Sequence, residues 1–231
     1  KPFCMGTLYW QMDDCWPVAS WASMDYYGRW KAIQYYAKKS MKDIMVSIDG
    51  TKEGEVDIHI ISDVLQPIDG TLHAALYDFD GKLLKQFSVP AKVEANATAV
   101  VWSSTVDGLL EGADPKRTVL KADLATDGQV LDSKLHYFVP AKDIQLSKAK
   151  VTIREVAGSN GTAFTLETDT LAKQVALLPE AEGVFSDNWF DLIPGIPVTV
   201  EFLGRGAAGR AFAPAAPGRI TVQSFADWIG L

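Results

Sequence analysis

From residue 44 onward, apolar and polar positions alternate with a period of two. "VDIHIIS" (56 to 62), "TLHAALYDF" (71 to 79), "KLLKQFSV" (82 to 89), "TAVVW" (98 to 102), "RTVLKADL" (117 to 124) and "KLHYFV" (134 to 139) each read as a strand with one face toward a core. Asp69-Gly70, Asp80-Gly81 and Asp127-Gly128 supply turn signals between many of them. The polar stretch "PAKDIQLSK" (140 to 148) interrupts the series. A second series follows: "KVTIREVAG", "TAFTLETDT", "KQVALLP", "VFSDNWFDL", "PVTVEFLG" and "RITVQSF". Short strands at this spacing predict two antiparallel β-sandwiches, over 41–146 and 147–231. No sequence repeat relates the two.

The first forty residues follow another pattern. Residues 6 to 12 are almost continuously apolar, as in a strand buried on both faces of a parallel sheet. A loop with Pro17 and Ser20 follows. "GRWKAIQYYAKK" (28 to 39) then reads as a helix, with Trp30, Ile33 and Ala37 on one face and lysines at the negative end of its dipole. Strand, loop and helix make one β/α unit over 1–40.

The chain has 231 residues, 48% hydrophobic and 22% charged, enough for packed cores. A net charge of -7 argues against nucleic acid and anionic membrane surfaces as partners, because both require clustered Lys and Arg. No apolar run reaches the roughly 18 residues of a membrane span. The chain begins at Lys1 without a signal peptide, which reads as a processed chain or a fragment and leaves the compartment open. Cys4 and Cys15 are too few for a disulfide framework and read as buried free thiols. The sequons at Asn96 and Asn160 carry no meaning without a secretory context.

Candidate chemistry is sparse. Asp13 and Asp14 are adjacent, and neighbours on a strand point to opposite faces, so they are poorly placed as a catalytic carboxylate pair. One of them could still contact a ligand at the strand's end. Asp78-Phe79-Asp80 and the Asp187–Asp191 stretch could supply oxygen ligands to calcium, although a hairpin turn accounts for the first. His59, His73 and His136 lie on different predicted strands without metal-ligand spacing. "GRGAAG" (204 to 209) matches Gly-x-Gly-x-x-Gly, but Pro214 and Pro217 forbid the helix that a dinucleotide site requires, so it reads as a long hairpin loop. Trp10, Trp16, Trp21 and Trp30 crowd the first thirty residues. Such rings either pack a core or cover the apolar C–H faces of sugars.

"MGTLYWQMDDCWPVASWASMDYYGRWKAIQYYAKK" (5 to 39) resembles the end of the catalytic barrel in β-mannosidases of glycoside hydrolase family 2. That family shows Gly-x-Leu-Tyr-Trp-Gln-x-Asn-Asp-x-Trp-Pro, then Ser-Trp, a Tyr, Gly-x-Trp-Lys and an amphipathic helix. "KLHYFVPAKDIQL" resembles the end of its penultimate domain, and "VFSDNWFDLIPG" the signature of its last. The chain departs from the pattern at Asp13, where the family usually has Asn, and in the Gly/Ala/Pro-rich loop 204–218. The resemblance implies a mostly β chain: two antiparallel, Ig-like β-sandwich domains preceded by the last β/α unit of a TIM (β/α)8 barrel. It further implies a retaining exo-β-mannosidase as parent, acting on terminal non-reducing β-mannosyl residues of mannosides or oligosaccharides. Both catalytic glutamates would then lie on earlier strands, so no catalytic residue is expected here. Trp10 would be the stacking platform of the −1 subsite, with Asp14 and Trp16 flanking it at the C-terminal ends of the barrel strands. The partners implied are the sugar substrate and the parent's N-terminal domains, and no metal or organic cofactor is expected. The alternatives are a non-catalytic tandem Ig-like module that binds carbohydrate or protein, and another family 2 glycosidase specificity.

Overall fold

The structure, a computed structural model, describes residues 6–159, 162–205 and 212–231. Asn160 of the second sequon, Cys4 and most of the Gly204–Gly209 motif lie outside the described residues. The chain divides into two compact units, residues 41–145 and residues 6–40 with 146–231. After helix α1 (Ala32–Ser40) come strands β1 (Ile44–Asp49), β2 (Glu55–Ser62), β3 (Ile68–Asp78), β4 (Leu83–Val93) and β5 (Thr98–Thr105). Helix α2 (Val106–Leu110) and strands β6 (Thr118–Thr126) and β7 (Gln129–Tyr137) complete the first unit. The second unit adds β8 (Val151–Ala157), β9 (Thr162–Thr168), β10 (Ala172–Pro179), β11 (Gly183–Phe185) and β12 (Phe190–Leu192). It ends with β13 (Val198–Arg205), β14 (Phe212–Pro214), β15 (Ile220–Gln223) and α3 (Phe225–Trp228).

In the first unit, β1-β2-β5 form one antiparallel sheet and β4-β3-β6-β7 the other. The period-two pattern sets the inner faces. Val56, Ile58 and Ile60 of β2 meet Leu72, Ala74 and Leu76 of β3 and Leu120, Ala122 and Leu124 of β6 in one buried core. Asp127-Gly128 is a two-residue hairpin between the paired Thr126 and Gln129, and both turn residues have positive φ (49° and 77°), as a type I′ turn requires. At the β3–β4 turn the Asp78 carboxylate accepts the amides of Asp80 (3.0 Å) and Lys82 (2.8 Å). Asp80 in turn pairs with Arg117. Asp69-Gly70, expected as a turn, instead lies within β3 and pairs with Lys92 and Ala91. The glycine there answers to crowding: a Cβ on Gly70 would stand 2.7 Å from the carbonyl oxygen of Ala125.

Asp132 of β7 joins the two sheets. Its carboxylate accepts the amide of Val46 in β1 at 2.9 Å and the Lys42 ammonium at 2.6 Å. β1 is an edge strand with one partner, β2. A buried carboxylate thus occupies a backbone donor on its open side.

In the second unit, β11-β13-β9-β8 form one sheet, with β14 on β13, and β12-β10-β15 form the other. Phe164, Leu166, Val175, Leu177, Phe185, Phe190, Leu192, Val200 and Phe202 fill the space between them. The stretch 184–192, expected as one strand, is two short strands in different sheets. Residues 186–189 make the crossing, and Trp189 turns the chain with φ 59°. Asn188 fixes this corner. Its side-chain oxygen accepts the amides of Leu177 (2.8 Å) and Trp189 (2.9 Å), and its side-chain nitrogen donates to the Leu177 carbonyl (2.9 Å).

Residues 6–12, expected as a buried parallel strand, form no strand. A parallel strand needs neighbours on both edges and covering layers on both faces; here Ser23 and Met24 line one edge of Gln11 and Met12, while Leu8, Trp10 and Met12 are exposed. The helix is present but begins four residues later than the reading of 28–39, and it buries a different face. Tyr35 is its buried residue, whereas Ile33 of the predicted apolar stripe is exposed.

Candidate functional site

The segment that carries Trp10, Asp14 and Trp16 is irregular but hydrogen-bonded. Ser23 and Met24 donate to the carbonyls of Gln11 (3.0 Å) and Met12 (2.9 Å), and Asp14 donates back to Met24 (3.3 Å). The Ser23 hydroxyl adds a bond to the Met12 carbonyl at 2.7 Å. Lys31, just before α1, closes the segment by donating its amide to Ser23 at 2.9 Å. The bend at 25–29 is built on Asp25, whose carboxylate accepts the amides of Tyr27 and Arg29 and the Arg29 guanidinium. The peptide bond between Trp10 and Gln11 is cis.

Asp14 lies at the centre of this arrangement and is buried. Its carboxylate accepts the Ser20 hydroxyl at 2.5 Å and the Lys31 ammonium at 3.1 Å. The Ser20 hydrogen bond holds its pKa below the ordinary carboxylate value; burial works against this, and Lys31 adds to the lowering. Asp14 is therefore an ionised carboxylate that ties residue 20 and residue 31 to the segment's core. Asp13 next to it is exposed.

The tryptophans point the other way. Trp10 is 74% exposed, Trp16 63% and Trp21 69%, and Leu8 is wholly exposed. Trp30 differs, standing edge-on to Tyr35 (5.3 Å between centroids) and to Phe212 (6.2 Å). Cys15, expected to be buried, is exposed, because it sits on the outer side of the turn whose inner side Asp14 occupies. Of the three residues singled out from the sequence, the structure thus presents Trp10 and Trp16 on the surface and places Asp14 beneath. Ser20 and Lys31 were not singled out. No spacing rule pairs them with an aspartate six and seventeen residues away.

The remaining candidates have structural occupations. Asp187 pairs with Lys39 at 2.8 Å, and Asp191 accepts the Gln174 amide at 2.7 Å and Lys173 at 3.2 Å. His73 shares a hydrogen bond with Ser88 at 2.8 Å. His136 is half-buried; burial pushes its imidazole below the ordinary histidine value, and Asp49 pulls it back up. Among the described residues no three His, Cys, Asp or Glu side chains gather as a metal site. No described helix is long and apolar enough to cross a membrane. Phe212–Pro214, beyond the glycine motif, is a strand rather than a helix. A cavity of about 330 Å³ in the first unit is lined by Gly50, Gly54, Glu55, Val106, His136 and Phe138, with none of the three candidate residues in its wall.

Residues 54–143 match the mannosidase Ig/CBM-like domain family, and residues 145–228 match the Ig-fold domain found beside it in this chain. β-Mannosidase A of Aspergillus terreus is 28% identical over 218 residues, covering 86% of this chain and 23% of the relative. The β-D-mannosidase structure from Dictyoglomus thermophilum superposes with a TM-score of 0.75 at 25% identity, over 94% of this chain and 26% of that one. The exo-chitosanase of Amycolatopsis orientalis gives a TM-score of 0.60 at 17% identity, over 96% and 28%, a likeness of fold alone. The chain spans about a quarter of the length of these proteins. Residues 54–143 and 145–228 thus belong to the mannosidase Ig/CBM-like and Ig-fold domain families, and the chain's similarity along nearly its whole length is consistent with the C-terminal portion of a family 2 β-mannosidase.

Proposed function

We propose that the chain works as the C-terminal part of a longer retaining exo-β-mannosidase that removes terminal non-reducing β-mannosyl residues. In this reading residues 1–40 are the last β/α unit of a (β/α)8 barrel, and 41–146 and 147–231 are the trailing sandwiches. Trp10 stacks on the sugar of the −1 subsite, with Trp16 beside it and Asp14 bracing the turn between them. The substrate is a mannoside or oligosaccharide, and the remaining domains of the longer chain are the partners. The catalytic carboxylates come from that remainder.

The observation that carries this reading is the contrast within residues 6–33. The backbone is organised around a buried, ionised Asp14, yet Leu8, Trp10, Met12, Trp16, Trp21 and Ile33 face solvent. A fixed segment with so much exposed apolar surface is one that another surface covers. The seven other strands of a barrel would cover Leu8 and Ile33 and leave Trp10 at the pocket.

The test compares the longer enzyme with this chain. The longer enzyme should hydrolyse aryl β-mannosides, and purified residues 1–231 should not, since in this reading both catalytic carboxylates belong to the remainder of the longer chain. In the longer enzyme, Trp10→Ala should lower kcat/KM by at least ~10-fold while the melting temperature holds, on the strength of an aromatic contact to the sugar. Turnover by the 231-residue chain would refute the proposal. Unchanged kinetics with a lowered melting temperature would assign Trp10 to packing.

A further inference from the structure

We infer that the segment Phe185–Asn188 is a docking cradle for helix α1, and that Tyr35 and Lys39 are positioning residues which hold the Trp10–Trp16 segment in place from the second sandwich. What that segment carries rests on the function proposed above; the docking itself does not.

The contacts are concentrated on one turn of the helix. Tyr35 is buried, and its hydroxyl accepts the backbone amide of Phe185 at 3.3 Å. Lys38 donates to the Ser186 carbonyl at 2.9 Å. Lys39 reaches the Asn188 carbonyl at 3.4 Å and pairs with the Asp187 carboxylate at 2.8 Å. Four successive residues, Phe185 of β11 and Ser186, Asp187 and Asn188 of the crossing, thus meet three residues of the helix. The crossing is itself rigid, because Asn188 is clamped to Leu177 and the Ser186 hydroxyl accepts the Glu201 amide at 2.9 Å. A second hold lies at the end of β13: Arg205 donates to the Tyr27 carbonyl, and Phe212 of β14 stands edge-on to Trp30. Gly28 makes room for that arginine, since a Cβ there would stand 2.6 Å from the guanidinium.

From the helix the hold passes inward through Lys31, whose ammonium and backbone amide fix Asp14 and Ser23. Asp14 and Ser23 organise the loop on which Trp10 and Trp16 stand. A shift of the helix on its cradle would move these rings with it. A displacement of about 1 Å at a substrate-orienting group costs on the order of 100-fold in rate. The stretch 185–188 therefore serves a contact with helix α1, through its backbone groups and the Asp187 carboxylate, as well as the sandwich's own fold.

Two sets of variants test this. Tyr35→Ala removes the buried ring while keeping a helix-favouring residue, and Tyr35→Phe restores the ring alone. Lys39→Glu sets like charges against Asp187, and Lys39→Glu with Asp187→Lys restores opposite charges. In the full 231-residue chain, amide exchange at 23–31 should accelerate at least about tenfold in Tyr35→Ala and severalfold in Lys39→Glu. Exchange in β9 and β13 should stay unchanged, Tyr35→Phe should recover most of the protection, and the double charge reversal should recover the rest of its set. In the longer enzyme, the same order should appear in kcat/KM for aryl β-mannosides, with the double reversal rescued. Unchanged exchange at 23–31 in both Tyr35→Ala and Lys39→Glu overturns the docking, whatever the activity. Loosened exchange with unchanged kinetics in an active mannosidase overturns the positioning role. Loosened and rescued exchange in a longer protein without mannosidase activity upholds the docking and removes the proposed function instead.

Discussion

Asn188→Ala should destabilise the second sandwich by about 3–5 kcal/mol, because it orphans buried backbone groups that cost roughly 1–3 kcal/mol each. The Asn188 side chain bonds both the amide and the carbonyl of Leu177, so it stands in for a strand residue two positions before β12 begins. It also holds the amide of Trp189, the residue that turns the chain at φ 59°. Alanine supplies none of these bonds, and the site is buried. Asn188→Asp should fall between, keeping an acceptor for the two amides while losing the donor to Leu177 and adding a buried charge. Urea unfolding monitored at amides of β9 and β10, with β3 and β6 as the internal control, measures this. A midpoint in β9 and β10 that does not move in Asn188→Ala would show that water or a rearranged corner replaces the amide.

Asp132→Ala should act on the other sandwich, lowering its stability by about 2–3 kcal/mol, mainly through the stranded amide of Val46. The Lys42 ion pair adds less, since Lys42 is partly exposed and solvent screens it. Asp132→Asn keeps an oxygen for Val46 and removes the charge, so about 1 kcal/mol or less is expected for it. If the asparagine variant is as unstable as the alanine variant, the ion pair with Lys42 dominates and the bond to Val46 is secondary. An open β1 edge is also a pairing surface. Asp132→Ala should therefore increase self-association on concentration, read by light scattering.

The strands were legible because their cause is local. Val56, Ile58 and Ile60 alternate with Asp57, His59 and Ile61, and any register that buries the first set builds the same face. Asp127-Gly128 was legible for the same reason, since positive φ at two successive residues has few solutions. Asp69-Gly70 carries the same two letters without forming a turn. There the glycine is required by the backbone of Ala125, a residue 55 positions away, and no local reading reaches that far. The stretch 184–192 failed likewise. Its apolar residues suit one strand, but Asn188 gains more by completing β10, and the strand breaks.

The candidate site shows the same division. The crowding of Trp10, Trp16 and Trp21 is plain in the sequence, and so is the family likeness of residues 5–39. Which side of the turn each residue occupies is not. Asp14 goes under because Lys31 and Ser20 meet it there, and Cys15 comes out as a consequence.

By itself, then, the sequence determined what short-range patterns encode: the strand periods, the helix, most of the hairpins, and the concentration of aromatic side chains at one end of the chain. The tertiary structure decided which helix face is buried, where the strands near 184–192 break, and which polar side chains stand in for missing backbone partners. The reason is one of range. A period of two or 3.6 is written among neighbours, whereas the partners of Tyr35, Asp132 and Gly70 lie 150, 86 and 55 residues away and are chosen only when the sheets have formed. Residues 6–12 show the limit from the other side, for an apolar run states that a segment needs covering, and only its neighbours in space can make it a strand.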